Sequence, residues 1–177
     1  MKDATSERII SAASGLFAER GVFGTSLGEV AKQVGLSKGT LYYYYPTREA
    51  LVNAAAERCF SRVSEALLAW VDTVTAENTD EALGSLCDTF LADGQSLRLF
   101  VAINAAAEPD SELEAAVDRA MSEWNVMIEV GSMRMRQDTA AKMKRMNPAI
   151  LPFLCGLAAL NADGDYAREA FRALILG

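Results

Sequence analysis

Histidine is absent from all 177 residues. Its absence removes His-based triads, HExxH zinc sites and histidine general bases together. Cysteine is scarce: Cys59, Cys87 and Cys155 are odd in number and far apart. Such spacing fits small buried hydrophobes in a reduced compartment, not a disulfide frame or a paired-cysteine metal site. There is no Walker loop and no GxGxxG. No apolar run approaches the ~20 residues of a membrane span. The start, Met-Lys-Asp-Ala-Thr-Ser-Glu-Arg, lacks the apolar stretch of a signal peptide. The carboxylates Glu108, Asp110, Glu112 and Glu114 sit at a helix start, where capping accounts for them. These absences point to a cytoplasmic chain with no cofactor, no metal and no membrane, and not to an enzyme.

What is present is apolar and helical. Half of the residues are hydrophobic, and net charge is −7. The charge is uneven. Residues 1–50 carry six Lys/Arg against five Asp/Glu, and the remainder eleven against nineteen. Exposed charges are screened beyond about 8–10 Å at cellular salt, so the first part can meet a polyanion while the acidic body discourages loose binding. No strand pattern, internal repeat or low-complexity tract occurs. The fold expected is all-α.

The most informative stretch is Thr25 to Leu51. Ser26 and Glu29 have capping-box spacing, so a helix starts near Leu27, with Leu27, Val30, Ala31 and Val34 on one face. Gly35 supplies a tight turn and Ser37 caps a second helix. Pro46 limits that helix to about two turns, too short to be stable alone. It nonetheless carries Lys38, Thr40 and four tyrosines. Helix, glycine turn and short second helix make a helix-turn-helix, whose second helix enters the DNA major groove. Helix 1, about Ser6 to Arg20, supports it with Ile9, Ile10, Ala13, Leu16 and Phe17, and Phe23 is expected to pack under the turn before Ser26.

Phe17, Arg20-Gly21, Gly24-Thr25, Val30-Ala31, Val34-Gly-Leu-Ser-Lys-Gly-Thr-Leu-Tyr-Tyr43, Pro46 and Glu49-Ala-Leu51 together resemble the TetR/AcrR family of bacterial transcription regulators, over roughly residues 6–56. Three positions depart from the family pattern. Tyr44 stands where histidine is frequent, Tyr45 where phenylalanine is usual, and Gly28 where a polar residue is common. The resemblance implies a three-helix DNA-binding domain over 1–46. A helical effector-binding and dimerisation domain follows over 47–177. Leu41 and Tyr45 point inward with Leu51, which leaves Lys38, Gly39, Thr40, Tyr42, Tyr43 and Tyr44 toward DNA. By the resemblance Tyr42 bonds a phosphate and Lys38 reaches the groove or backbone beside it. Gly39 permits close approach, and Tyr43 presses on a thymine methyl or a sugar. Thr25, Ser26, Ser37 and Arg48 are expected to clamp phosphates at the flanks, which positions the protein without specifying sequence.

Beyond Pro46, Thr47 caps a long helix reaching about Val74. Further helices are expected over Asn78–Gly94, over Gln95 to about Ala107, and from Ser111 past Trp124 to the Arg134/Arg136 region. Gln137 to Met146 is either a continuation or a separate helix, and Asn147-Pro148 is expected to open the next one. Asp163-Gly-Asp165 reads as a turn before a last helix over Tyr166–Leu176. Phe60, Leu67, Trp70, Phe90, Phe100, Met121, Trp124 and Met127 exceed what apolar stripes need. They predict a largely hydrophobic effector pocket between helices 4 and 7, with Asn104 or Asn125 as a polar anchor. Ile150, Phe153, Leu154, Leu157 and Leu160, with Phe171 and Leu174, predict a homodimer built by the last two helices.

The reading is a ligand-responsive repressor, with operator DNA, a small-molecule effector and a second copy of itself as partners. Two alternatives keep the fold without operator binding: a protein-interaction module, and a small-molecule carrier or enzyme using the helical cavity. An activator on the same DNA site is a further one. A gel shift on the chain's own upstream DNA separates the repressor from the first two alternatives.

Overall fold

The computed structural model describes residues 4–91, 95–109 and 111–177. Among them lie nine α-helices and no strand. Helices α1 (Ala4–Arg20), α2 (Leu27–Val34) and α3 (Lys38–Tyr44) form the first unit, and α4 (Arg48–Thr73) leads out of it. Helices α5 (Thr79–Leu91), α6 (Ser96–Asn104), α7 (Glu112–Ser132), α8 (Gln137–Ala159) and α9 (Gly164–Leu176) complete the body. The predicted end of α5 at Gly94 lies outside the described residues.

Local chemistry sets most boundaries. Gly21 adopts φ 77°, where its N–H still reaches the Phe17 carbonyl, and α1 stops. The side chains of Ser37, Thr47 and Ser111 each accept a backbone N–H three residues on. Asp163 caps α9, so Gly164 and Asp165 belong to its first turn instead of to a separate turn.

The first unit closes over Ile9, Ala13, Phe17, Val30 and Leu41. Leu51, Val52 and Ala55 of α4 complete that core, and farther along the same helix Val63, Leu67 and Trp70 enter the body. At about 1.5 Å per residue, α4 carries burial roughly 30 Å from one region to the other. In the body Trp124 has no exposed surface. Phe60, Phe90 and Phe100 surround it at centroid distances of 6.0, 6.4 and 5.0 Å, and its indole N–H donates to Ser64 Oγ at 3.0 Å.

Two expectations for the last helices are corrected. Asn147-Pro148 opens nothing, because α8 runs unbroken from Gln137 to Ala159 through Pro148 and Pro152. Each proline removes one helical hydrogen bond. Both lie exposed, while Ile150, Leu151, Leu154, Leu157 and Ala158 hold the other face in the core. The second correction concerns the interface. Ile150, Leu154 and Phe171 are 0% exposed within one chain, and Leu157 is also buried, so they fill the monomer instead of awaiting a partner. Phe153 and Leu174 stay half-buried, and Leu160, just past the helix end, is 82% exposed.

Candidate nucleic-acid interface

The turn between α2 and α3 is fixed at both ends. Ser26 accepts the Glu29 N–H at 3.2 Å, and its own N–H donates to Glu29 Oε2 at 2.8 Å, closing the predicted capping box. The Ser26 backbone N–H, then its hydroxyl, hold the Glu29 carboxyl below the usual 4.5. Gly35 takes φ 75°, and the Leu36 N–H closes on the Ala31 carbonyl at 2.9 Å. Ser37 caps α3 through the Thr40 N–H at 3.0 Å, and the two hydroxyls bond at 2.8 Å.

This places α3 as the spacing predicted. Leu41 is 1% exposed and Tyr45 9%, and Tyr45 Oη lies 2.7 Å from Ser6 Oγ, which anchors the helix to α1. Lys38, Gly39 and Thr40 are exposed, Tyr42 is half in solvent, and Tyr43 is 83% exposed. A short helix thus offers an ammonium, hydroxyls and two phenols from a rigid backing. Those groups suit phosphate and base-edge contacts. Gly28 has a role that the sequence did not reveal. A Cβ there would sit 2.8 Å from Lys38 Cε, so the Lys38 stem lies in the notch that the glycine leaves on α2.

Four expectations are corrected. Thr25 is 3% exposed and its hydroxyl donates to the Gly21 carbonyl at 3.0 Å, so it closes its own loop instead of a phosphate. Arg48 turns its guanidinium onto the Val22 carbonyl at 3.0 Å, tying α4 to the α1–α2 loop. Tyr44 is half-buried against the core, edge-on to Tyr43. Phe23 is 72% exposed, and its neighbour Val22, at 4%, fills the place beneath the turn. Ser26 and Ser37 remain exposed but serve first as caps.

The expected effector pocket is also corrected. Trp124, Leu67, Trp70, Phe90 and Phe100 are all nearly or fully buried in the core, with Phe60, Met121 and Met127 partly buried against it. The surplus of large side chains thus fills the core that it was expected to line. Gly131 shows how tightly, since a Cβ there would lie 2.2 Å from the Trp70 ring. Asn104 is exposed at the end of α6. Open space lies elsewhere. A cleft of about 320 Å³ separates the α1–α2 loop and the first turns of α4 from the α6–α7 loop. A second, about 400 Å³, continues between α4 and α7, and among the predicted lining residues only Phe60 borders it.

The model of the family described as bacterial regulatory proteins, tetR family, matches residues 9–62, from α1 to the middle of α4. The biofilm operon icaADBC HTH-type negative transcriptional regulator IcaR of Staphylococcus epidermidis is 30% identical over 103 residues. That is 58% of this chain and 55% of IcaR, so the chain spans about half the length of this relative. A TetR-like transcriptional regulator from Rhodococcus sp. RHA1 shares the fold over 99% of this chain and 96% of its own, with a TM-score of 0.72 and 21% identity. AibR, in complex with isovaleryl coenzyme A and operator DNA, shares it over 97% and 98%, with a TM-score of 0.73 and 17% identity.

Proposed function

We propose that this chain, which belongs to the TetR family of bacterial regulatory proteins, is a ligand-responsive repressor that binds operator DNA as a homodimer in the cytoplasm. Residues 1–46 serve as the DNA-binding domain and residues 47–177 as the effector-binding and dimerisation domain. One observation carries the reading. Helix α3 sinks Leu41 and Tyr45 into the core while Lys38, Thr40, Tyr42 and Tyr43 stand in solvent on its outer face. A helix so short and so exposed in its polar groups gains its purpose from a docked partner, and phosphates and base edges match those groups.

In this mechanism α3 lies in the major groove. Tyr42 and Lys38 engage phosphates, Tyr43 reaches a sugar or thymine methyl, and Gly39 allows close approach. Two copies place two α3 helices one DNA turn apart, about 34–36 Å. Phe153, Leu160, Tyr166 and Leu174, apolar surface that one chain leaves partly or largely uncovered, pair with their copies across a two-fold axis. Bound dimers exclude polymerase from promoter DNA, and an effector shifts the helix spacing. IcaR's designation as a negative regulator supports this sense of action, and AibR, in complex with isovaleryl coenzyme A and operator DNA, supports a fold that takes both a small molecule and DNA.

The test is fluorescence anisotropy with the chain's own upstream DNA, titrated across salt, beside light scattering at micromolar protein. The expected result is saturable binding by a dimer, weakening steeply between about 50 and 200 mM salt. A monomer, or no preference for upstream DNA over random duplex, overturns the reading.

A further inference from the structure

The two clefts beside α4 share Asn53, Glu112 and Leu113, so they form one groove. Its floor is apolar and comes from separate elements: Val22 of the α1–α2 loop, Val52 of α4 and Leu113 of α7. Val22 and Val52 are each 4% exposed, so the floor is core surface reached from solvent. The charge around it is net negative. Glu49 and Glu57 stand on the α4 side, and Glu108 and Glu112 on the α6–α7 side. The nearest cation, Arg48, is committed to the Val22 carbonyl, and Arg119 borders only the far cleft. A concave apolar floor of this size, with polar groups around it to fix orientation, is how small-ligand sites are built. Four carboxylates against two guanidiniums leave the groove net negative, which favours a cationic ligand.

We propose that this groove binds a small amphipathic cation of the alkylammonium class, its ammonium beside Glu108 and Glu112 and its alkyl part on Val22, Val52 and Leu113. Anions are repelled by the same walls. The site joins three elements at the point where Arg48 fastens α4 to the loop preceding α2. A ligand there changes how the helix-turn-helix sits on the body. This consequence rests on the proposed repressor function, whereas the binding itself does not.

Calorimetry with the full chain and no DNA tests the binding. The probes are hexyltrimethylammonium and hexane-1-sulfonate, of equal chain length and opposite charge. The cation is expected to bind and the sulfonate not. The exposed, isosteric pair Glu108→Gln/Glu112→Gln is expected to weaken the cation about tenfold. Each methylene added from butyl to octyl is expected to strengthen it about two- to fourfold. Circular dichroism checks that the variant folds. No binding by the cation, equal binding of sulfonate, or unchanged affinity in the double variant overturns the site. Operator titration is read separately. Wild-type protein that binds the cation but no operator sinks the repressor function and leaves the site standing.

Discussion

Gly131→Ala tests the close approach of α7 to Trp70 of α4. Gly131 is buried on α7, and an added Cβ would stand 2.2 Å from Trp70 Cζ3 and 2.6 Å from Cη2. Ordinary carbon contacts begin roughly 1 Å farther out. The ring has little room to retreat, because Trp70 is 4% exposed and its indole N–H donates to the Ala82 carbonyl at 2.9 Å. Either the indole turns and loses that bond, or α7 lifts off α4. Overpacking of this kind costs about 1–3 kcal/mol, and a strained or lost hydrogen bond about 1 kcal/mol more. Alanine's helix preference returns about 1 kcal/mol. The net expectation is a loss of about 1–3 kcal/mol, or about 3–10 °C in Tm for a chain of this size. Gly84→Ala is the paired control. It lies inside α5 with nothing within 4 Å of its added Cβ. There the helix preference acts alone and stabilises by about 0.5–1 kcal/mol. Urea melts followed by circular dichroism and tryptophan fluorescence read both variants. If Gly131→Ala moves in the same direction as Gly84→Ala, the packing argument is wrong.

Tyr42→Phe removes only an exposed hydroxyl, so operator affinity should fall about three- to tenfold with Tm unchanged. Equal affinity by anisotropy would remove Tyr42 from the interface. The Glu29 carboxyl has a folded pKa below 4.5, so its stabilisation is complete above the usual glutamate range and lost as pH falls through the depressed value. The Tm gap between wild type and Glu29→Gln should accordingly be constant near neutrality and close in acid, and a gap that persists at low pH contradicts the charged capping box. Burial pushes the Cys87 and Cys155 thiols up to about 11, and Cys59 is 2% exposed. Thiol reagent at pH 8 should label all three slowly in native protein and rapidly in denaturant, whereas fast native labelling would mean that these helices open.

What the sequence disclosed follows the range of the forces. Caps act over three residues, so Ser26 with Glu29, Ser37, Thr47 and Ser111 could be read directly, and the helix starts with them. The inward pair Leu41 and Tyr45 followed from a four-residue spacing. Partners that are backbone carbonyls left no trace. Thr25 and Arg48 look like free phosphate ligands until Gly21 and Val22 present their oxygens. Whether Val22 or Phe23 turns inward is decided by the backbone after the left-handed Gly21, not by their similar hydrophobicity. The prolines of α8 mislead because tertiary burial of one helix face outweighs two missing hydrogen bonds. A helix apolar nearly all round announces that it is covered, yet only packing tells that Ile150 and Leu154 are covered by their own chain.

On the proposed function, helix α4 limits how an effector can reach the DNA. Its first turns are core of the helix-turn-helix unit through Leu51, Val52 and Ala55, and its last turns are locked at Trp70 against Gly131. Between them Arg58 binds α1, donating to the Glu7 carbonyl at 3.2 Å and pairing with its carboxylate at 3.3 Å. Helix α6 packs along α1 as well, and its Arg98 meets Asn161 in the α8–α9 loop. The recognition helix therefore cannot tilt without α4, and α4 cannot slide without disturbing a filled aromatic core. Binding that lowers operator affinity a hundredfold must itself favour the DNA-free form about a hundredfold, roughly 2.7 kcal/mol. Opening a cavity around Trp124 would use energy of that order merely to admit the ligand, since removing one large core side chain costs about 3–5 kcal/mol. An open groove at the α4 start has no such cost, and a tie it meets there is the Arg48 bond to Val22, worth about 1.5–3 kcal/mol as a charged hydrogen bond. The balance favours control at the junction over control from within the core.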